Sequence, residues 1–96
     1  MALLGSLTKQ PVEELPVDIS YSAVIGGRAV DTLTIAITTP SGMTLVSSTS
    51  TLSACQLYVG GGTTGTSYKW TVLASIVIGG KTTKVEDEFN VVVEEV

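Results

Sequence analysis

Residues 60–70 have the sequence GGGTTGTSYKW, a glycine-rich bend that leads directly into a strand of alternating residues. In immunoglobulin-like sandwiches a tyrosine near the start of a late strand bonds back to the preceding corner, and a large core residue follows two positions later. Tyr68 and Trp70 have this spacing, and Gly65 lies in the bend ahead of them. The stretch therefore predicts a corner of an all-β sandwich, with Tyr68 and Trp70 in structural roles.

A long hairpin is predicted after this corner. The turn would be Gly79-Gly80, because a two-residue hairpin turn favours residues that adopt positive φ. It pairs Ile78 with Lys81 and Trp70 with Phe89, so that the apolar faces of both strands match. The face of the first strand comprises Tyr68, Trp70, Val72, Ala74, Ile76 and Ile78.

Asp87 is the exception in this register, because it falls opposite Val72 on the inward face. We expect a β-bulge near residues 85–87, or an open sheet edge there.

Further period-two patterns predict strands over residues 17–22, 32–38, 43–46 and 53–59, with a Ser- and Thr-rich connection over residues 47–51. A direct turn at Gly26-Gly27 would expose one apolar face, so we expect an odd number of loop residues there. The fold class is therefore all-β, and we expect an immunoglobulin-like antiparallel β-sandwich of about seven strands.

A chain of 96 residues forms one domain, which we place at residues 15–96. Residues 1–14 are predicted to form an N-terminal arm that is flexible or docks on a neighbour. Leu3, Leu4 and Leu7 are its candidate protein-interaction residues, since residues 17–94 already fill the core. Hydrophobic residues make up 44% of the chain and charged residues 15%, so apolar surface is left to contact a partner.

Charge and cysteine content limit the partners and compartments. The net charge is -4 and the five basic residues are scattered, which argues against binding nucleic acid. Residues 1–7 lack the basic start and the apolar length of a signal peptide or membrane helix, so we expect neither export nor a membrane span. The single Cys55 cannot form an internal disulfide, which favours synthesis in a cytoplasm.

Three features of the sequence allow a catalytic or ligand-binding interpretation. Residues 60–65 space their glycines as in a phosphate loop, but Thr66 stands where a lysine is required and a strand follows. Residues 86–88 alternate in direction on a strand, which favours a solvated or edge-protecting acidic cluster over a weak calcium contact. Cys55 is expected to be a buried apolar residue and not a nucleophile.

Histidine is absent and cysteine occurs once, which excludes zinc ligation within the chain and the Ser-His-Asp and Cys-His catalytic arrangements. No catalytic residue, cofactor or metal site is predicted.

The order of these features resembles a family of short phage virion proteins, the fibre-tail adaptor proteins. Residues 59–68 resemble the family's Gly-Gly-x-x-Gly-x-x-Tyr stretch, and the closing hairpin ends in Phe89-x-Val91-x-Val93. The opening resembles Lys9-x-Pro11-x-x-Glu14, followed by a strand with Asp18 and Ser20 and then Asp31-Thr32-Leu33. The chain departs from the family at Ile19, where Trp is frequent, and at Lys81, where Arg is frequent.

The resemblance implies an immunoglobulin-like structural protein of a tailed phage, an adaptor that joins the tail body to fibres or to a neighbouring tail protein. We expect a homo-oligomer in the virion tail, made and assembled in the host cytoplasm, and no enzyme activity. The alternative is an immunoglobulin-like adhesion or carbohydrate-binding module of a surface or baseplate assembly, for which Tyr21 and Tyr58 are the aromatics left outside the expected core. A small carboxylate enzyme is disfavoured, because no convergent pair of carboxylates can be argued.

Removal of divalent metal should change neither the fold nor the stability of the chain, because no residue spacing here supplies a closed coordination shell. Thermal unfolding with and without a chelator checks this expectation. A melting temperature that falls by many degrees on chelation would mean that residues 86–88 bind a cation.

Overall fold

A computed structural model describes the backbone of residues 2–95 and the side chains of residues 5–95. Within this range there are seven strands and one helical turn: β1 (Ala2–Lys9), β2 (Leu15–Ser20), α1 (Ser22–Ile25), β3 (Thr32–Thr38), β4 (Met43–Ser50), β5 (Ala54–Gly61), β6 (Thr66–Ile78) and β7 (Lys81–Val93). The strands form a larger sheet of order β1-β7-β6-β3 and a smaller sheet of order β2-β5-β4. The all-β sandwich expected from the sequence is thus confirmed.

The β6–β7 hairpin has the predicted register. Gly79 and Gly80 both adopt positive φ, 58° and 80°, as a two-residue turn requires. Pairing runs without a shift from Ile78 opposite Lys81, next to this turn, to Thr66 opposite Val93 at the far end of the strands.

The bulge expected near residues 85–87 does not form. Asp87 lies directly opposite Val72 and faces the core. The alternative of an open edge holds for part of this stretch. The described ladder with β1 begins at Ala2 opposite Asp87, so Val85 and Glu86 lie beyond it, whereas Asp87 itself has β1 on one side and β6 on the other. The irregularity occurs instead between β1 and β7, where the register shifts between Leu3 and Ser6.

The N-terminal segment contributes the one parallel pair of the described strands. β1 runs parallel to β7, with Leu7 opposite Val91 and Lys9 opposite Val93. Part of the segment expected as an arm over residues 1–14 is therefore an edge strand of the larger sheet. Its physical role is to pair the backbone groups on the second side of β7 from Asp87 to Val93, which would otherwise be unpaired.

Two connections differ from the sequence expectation. Residues 47–50, predicted as a connection, continue β4 and pair with β5, because Thr and Ser accept a solvent-facing strand when a ladder satisfies their backbone. Residues 26–27 do not turn between paired strands, since β2 and β3 lie in different sheets. Instead Gly26 ends α1 with a φ of 62°.

The core lies between the two sheets around Trp70, which is fully buried. Its ring stacks on Phe89, with the centroids 5.9 Å apart and the planes 10° from parallel. Its Nε1 donates a hydrogen bond of 3.3 Å to Sδ of Met43, which links the two sheets. The sequence-based expectation that Tyr21 lies outside the core is wrong. Its side chain is 1% exposed, because the β2–α1 junction turns it inward.

Replacement of Trp70 by alanine should lower the free energy of unfolding by about 3–5 kcal/mol, since it leaves a large cavity in the core. That is a large part of the stability of a small domain. Urea unfolding followed by circular dichroism measures the change, and Leu52→Ala, at a side chain 54% exposed, is the control. A native Trp70 fluorescence maximum typical of free water would contradict the burial on which the expectation rests.

Candidate interaction surfaces

The corner predicted at residues 60–68 is closed by hydrogen bonds. The backbone N–H of Thr63 donates to the Tyr68 hydroxyl oxygen at 2.9 Å, and this bond lowers the pKa of Tyr68. Gly65 donates its N–H to the carbonyl oxygen of Val93 at 2.7 Å. The tyrosine thus turns back onto the corner, and the corner in turn is fastened to the end of β7.

Gly62 has a steric role in this corner. Its φ is 95°, and a Cβ placed there would come within 2.6 Å of Cγ2 of Val93. A side chain would therefore be strained both by its backbone conformation and by contact with the core.

The same corner does not present a phosphate cradle. The N–H groups of Gly62, Thr63, Gly65 and Thr66 all donate to oxygens of the chain itself. A phosphate loop needs such groups free to point at the ligand. The glycines therefore serve the bend.

Lys9 fastens the end of β1 to the smaller sheet. Its side chain is 1% exposed, and Nζ donates to the carbonyl oxygens of Gln10 (2.7 Å), Pro11 (3.3 Å) and Gly61 (2.6 Å). An ammonium group has three donors, so these three acceptors satisfy it. Because β1 belongs to one sheet and Gly61 ends β5 in the other, Lys9 connects the two sheets at this end of the sandwich.

The acidic run, residues 86–88, is divided between the two faces of β7. Asp87 is buried, which raises the pKa of its carboxyl. Glu88 points to the outer face and forms an ion pair with Lys69 at 2.9 Å, which raises the pKa of the lysine. The prediction of a solvated or edge-protecting cluster is therefore wrong for Asp87, because its side chain faces the core beside Val72.

Cys55 is a buried free thiol, as expected from the sequence. Its Sγ lies 3.5 Å from the hydroxyl oxygen of Tyr21, and burial raises the pKa of both groups. A raised pKa leaves little thiolate at neutral pH, so the environment disfavours nucleophilic chemistry.

The three leucines proposed for protein contact are only partly described. The side chains of Leu3 and Leu4 lie outside the described residues. Leu7 is half-buried and packs against the core. The structure therefore brings Leu7 together with the core cluster that contains Trp70 and Phe89.

The outer face of the smaller sheet carries a group of exposed apolar side chains, of which the sequence-based expectation placed only Tyr58 outside the core. Tyr58 (36% exposed) lies beside Pro16 in the ladder, and Val46 (42% exposed) lies over Gly60 on the same face. Pro16, Val46 and Tyr58 are named here the outer patch. Glu14 borders it, with Cγ near Gly60.

A second surface is distinguished by its lack of charge. β3 and β4 are the edge strands on one side of the sandwich, and residues 32–50 contain no Asp, Glu, Lys or Arg. This side is named here the uncharged flank. This lack of charge is visible in the sequence, which contains no charged residue from residue 32 through residue 68.

A shallow depression of about 440 Å³ lies where β2, β4 and β5 meet, at the end of the smaller sheet distant from the corner. Nε2 of Gln56 donates to Oδ1 of Asp18 there at 2.8 Å. Its lining includes Ser and Thr residues but no aromatic ring of the kind on which sugars stack.

Comparison with known proteins gives a family. The model of the family described as Podophage GP4 fiber-tail adaptor protein gp77 matches residues 9–91, which is most of the chain. No curated protein and no solved structure matches. Among the described residues no helix is long and apolar enough to cross a membrane.

Replacement of Asp87 by asparagine should change how stability depends on pH. The folded-state pKa of Asp87 is raised, so the folded chain binds this proton more tightly than the unfolded chain. The contribution of Asp87 is therefore most favourable below about pH 4, near the unfolded pKa, and is lost as pH rises through the folded pKa. Asp87→Asn should remove this loss, so that its stability relative to the wild type increases with pH.

Urea unfolding of both chains at pH values from about 4 to 7 measures this difference. Glu95→Gln, at an exposed carboxyl, is the control that removes the same charge. A stability difference between Asp87→Asn and wild type that stays constant with pH would contradict the buried, raised-pKa carboxyl.

Proposed function

We propose a docking role in the phage tail for this chain, which belongs to the family of podophage fiber-tail adaptor proteins. The family match over residues 9–91 is the observation that carries the proposal. It identifies a structural component of the virion tail, a class that is not an enzyme class. The chain would join the tail body to fibres or to a neighbouring tail protein, and would act by placement and not by catalysis.

The rigidity required of an adaptor is supported by the core. The bond from Trp70 to Met43 connects the two sheets inside, and Lys9 connects them at one end. The Trp70–Phe89 stack holds the core face of the larger sheet in place. A rigid sandwich holds its surface residues in fixed positions, which lowers the ordering cost of docking. The bond between Tyr68 and the corner supports the immunoglobulin-like character that we propose for the sandwich.

The outer patch is the proposed contact with the tail or fibre protein. It combines an aromatic side chain, Tyr58, with the aliphatic groups of Pro16 and Val46 on a face that neither sheet covers. Tyrosine is enriched at protein interfaces because its ring is apolar and its hydroxyl can bond. Glu14 at the border gives the patch a polar rim.

The N-terminal segment, residues 1–14, is a second proposed contact, through Leu3, Leu4 and the outer edge of β1. Assembly of several copies in the particle, and their production in the host cytoplasm, are also part of the proposal. The single buried thiol, Cys55, is compatible with a reducing compartment.

The outer patch can be tested in the phage itself, by placing Val46→Asn with Tyr58→Ser in the gene for this chain. Because both side chains are exposed, the variant should fold. The number of its copies in purified virions should fall by about tenfold, which corresponds to a loss of about 1.4 kcal/mol of binding free energy. Quantitative mass spectrometry of virions measures the copies, and circular dichroism of the isolated chain checks the fold.

Leu52→Asn is the matched control, since Leu52 is an exposed aliphatic residue in the turn between β4 and β5, away from the outer patch. A folded double variant that enters virions at the wild-type level would rule out the outer patch as the docking contact.

A further inference from the structure

We propose that the free edge of β3 is an interface with a second copy of the chain, in which the two β3 strands pair antiparallel about Ile35. The larger sheet would then continue across the two copies as one sheet of eight strands. This contact specifies how the copies that we propose to assemble in the particle would pair, and in that respect it rests on the proposed function. It does not depend on which tail protein the outer patch binds.

The four edge strands of the sandwich differ in how they are protected. An exposed edge presents unpaired N–H and C=O groups, and proteins that stay monomeric usually block it with bulges, proline or charge. β1 has a register shift between Leu3 and Ser6, and β4 has one between Leu45 and Ser47. β2 contains Pro16 and Asp18. β3, with the sequence TLTIAIT, contains none of these features.

The hairpin turn determines which backbone groups of β3 are free. Residues flanking a two-residue turn form a hydrogen-bonded pair, so Ile78 and every second residue before it direct their N–H and C=O groups to β7. The intervening residues of β6 bond to their β3 partners, which are Thr32, Thr34, Ala36 and Thr38. Leu33, Ile35 and Ile37 are thus left with N–H and C=O groups directed to the open edge.

The sequence of β3 complements itself when one copy is reversed. Pairing about Ile35 sets Ile35 against its own equivalent and Leu33 against Ile37, and these are the residues whose backbone groups are free. The same pairing sets Thr34 against Ala36 and Thr32 against Thr38 on the outer face. Aliphatic side chains therefore meet aliphatic side chains on the inner face, where such cross-strand pairs stabilise a sheet.

The side chains on the inner face of β3 remain partly exposed to solvent. Leu33, Ile35 and Ile37 pack against the core but are only half-buried, whereas Val72, Ala74 and Ile76, opposite them on β6, are fully buried. A second β3 strand would cover this remaining area while pairing the backbone. The interface would resemble the strand addition by which extended segments bind an open sheet edge.

Charge favours a second copy as the occupant. The chain carries a net charge of -4, so most surfaces of two copies repel. The uncharged flank, residues 32–50, is the exception, because no like charges oppose each other across it. A contact through one strand is small, so we expect weak association of the isolated chain that becomes effective where many copies are held together in a particle.

Sedimentation velocity over a range of concentrations tests the interface. The wild-type chain should show a monomer–dimer equilibrium. The double variant Thr34→Asp with Ala36→Asp, at two exposed outer-face positions, sets acidic groups directly against each other and should raise the dissociation constant by about tenfold or more. The double variant Thr34→Lys with Ala36→Lys should do the same.

Mixing the two double variants should restore the dimer, because the introduced lysines then lie opposite the introduced aspartates. Ser6→Asp with Thr8→Asp is the matched control, since these exposed residues have the same spacing on the same face of the sheet at its opposite edge. Circular dichroism confirms that each variant is folded.

The proposal would be overturned by a wild-type chain that stays monomeric up to about 1 mM, the range of effective concentration in a linked assembly. It would also be overturned by acidic and basic variants that dimerise as strongly as the wild type, or by a mixture of the two that dimerises no more than either variant alone. A monomeric wild type whose entry into virions is still reduced by Thr34→Asp with Ala36→Asp would assign the β3 edge to a different tail protein. If the wild-type chain does not dimerise in solution but the outer-patch variant is depleted from virions, the β3 interface is wrong and the proposed function remains supported.

Discussion

The rest of the structure depends on the uninterrupted pairing of β6 with β7. Their hairpin provides both central strands of the larger sheet, and β1 and β3 are added to its two sides. It also places Trp70 against Phe89 and thereby fixes the centre of the core. Since side chains alternate along a strand, the turn at Gly79-Gly80 determines the face of every residue that follows it.

The burial of Asp87 is a consequence of that constraint. A single bulge between the turn and Asp87 would direct the carboxyl outward, but it would also reverse Phe89, Val91 and Val93, all of which are buried. Each such side chain contributes about 1.5–3 kcal/mol on burial. An imperfectly satisfied polar group costs about 1–3 kcal/mol. The free energy gained by burying these three side chains therefore exceeds the cost of burying one carboxyl. The raised pKa of Asp87 reflects that cost.

The features that could be predicted from sequence are those determined locally. The turn glycines and the alternation of Trp70 with its neighbours were sufficient for the hairpin register, because a two-residue turn permits one pairing. The parallel addition of β1 could not be predicted, since its partner β7 lies far along the chain and no turn joins them. The outer patch likewise depends on strand neighbours, and Val46 and Tyr58 belong to different strands. The uncharged flank was visible in the sequence, but its location at one side of the sandwich required the strand order.

The two sides of the sandwich are built in different ways, and the difference suits an adaptor. On the side of β1 and β2, a register shift, Pro16 and Asp18 interrupt the edges, and the buried ammonium of Lys9 closes the end of β1. On the side of β3 and β4, charge is absent and β3 is regular over its whole length. An edge that is blocked prevents continuous growth of a sheet, whereas one open edge permits pairing with one other strand. A chain with this asymmetry can pair through β3 and still keep the outer patch of its smaller sheet free for a different protein.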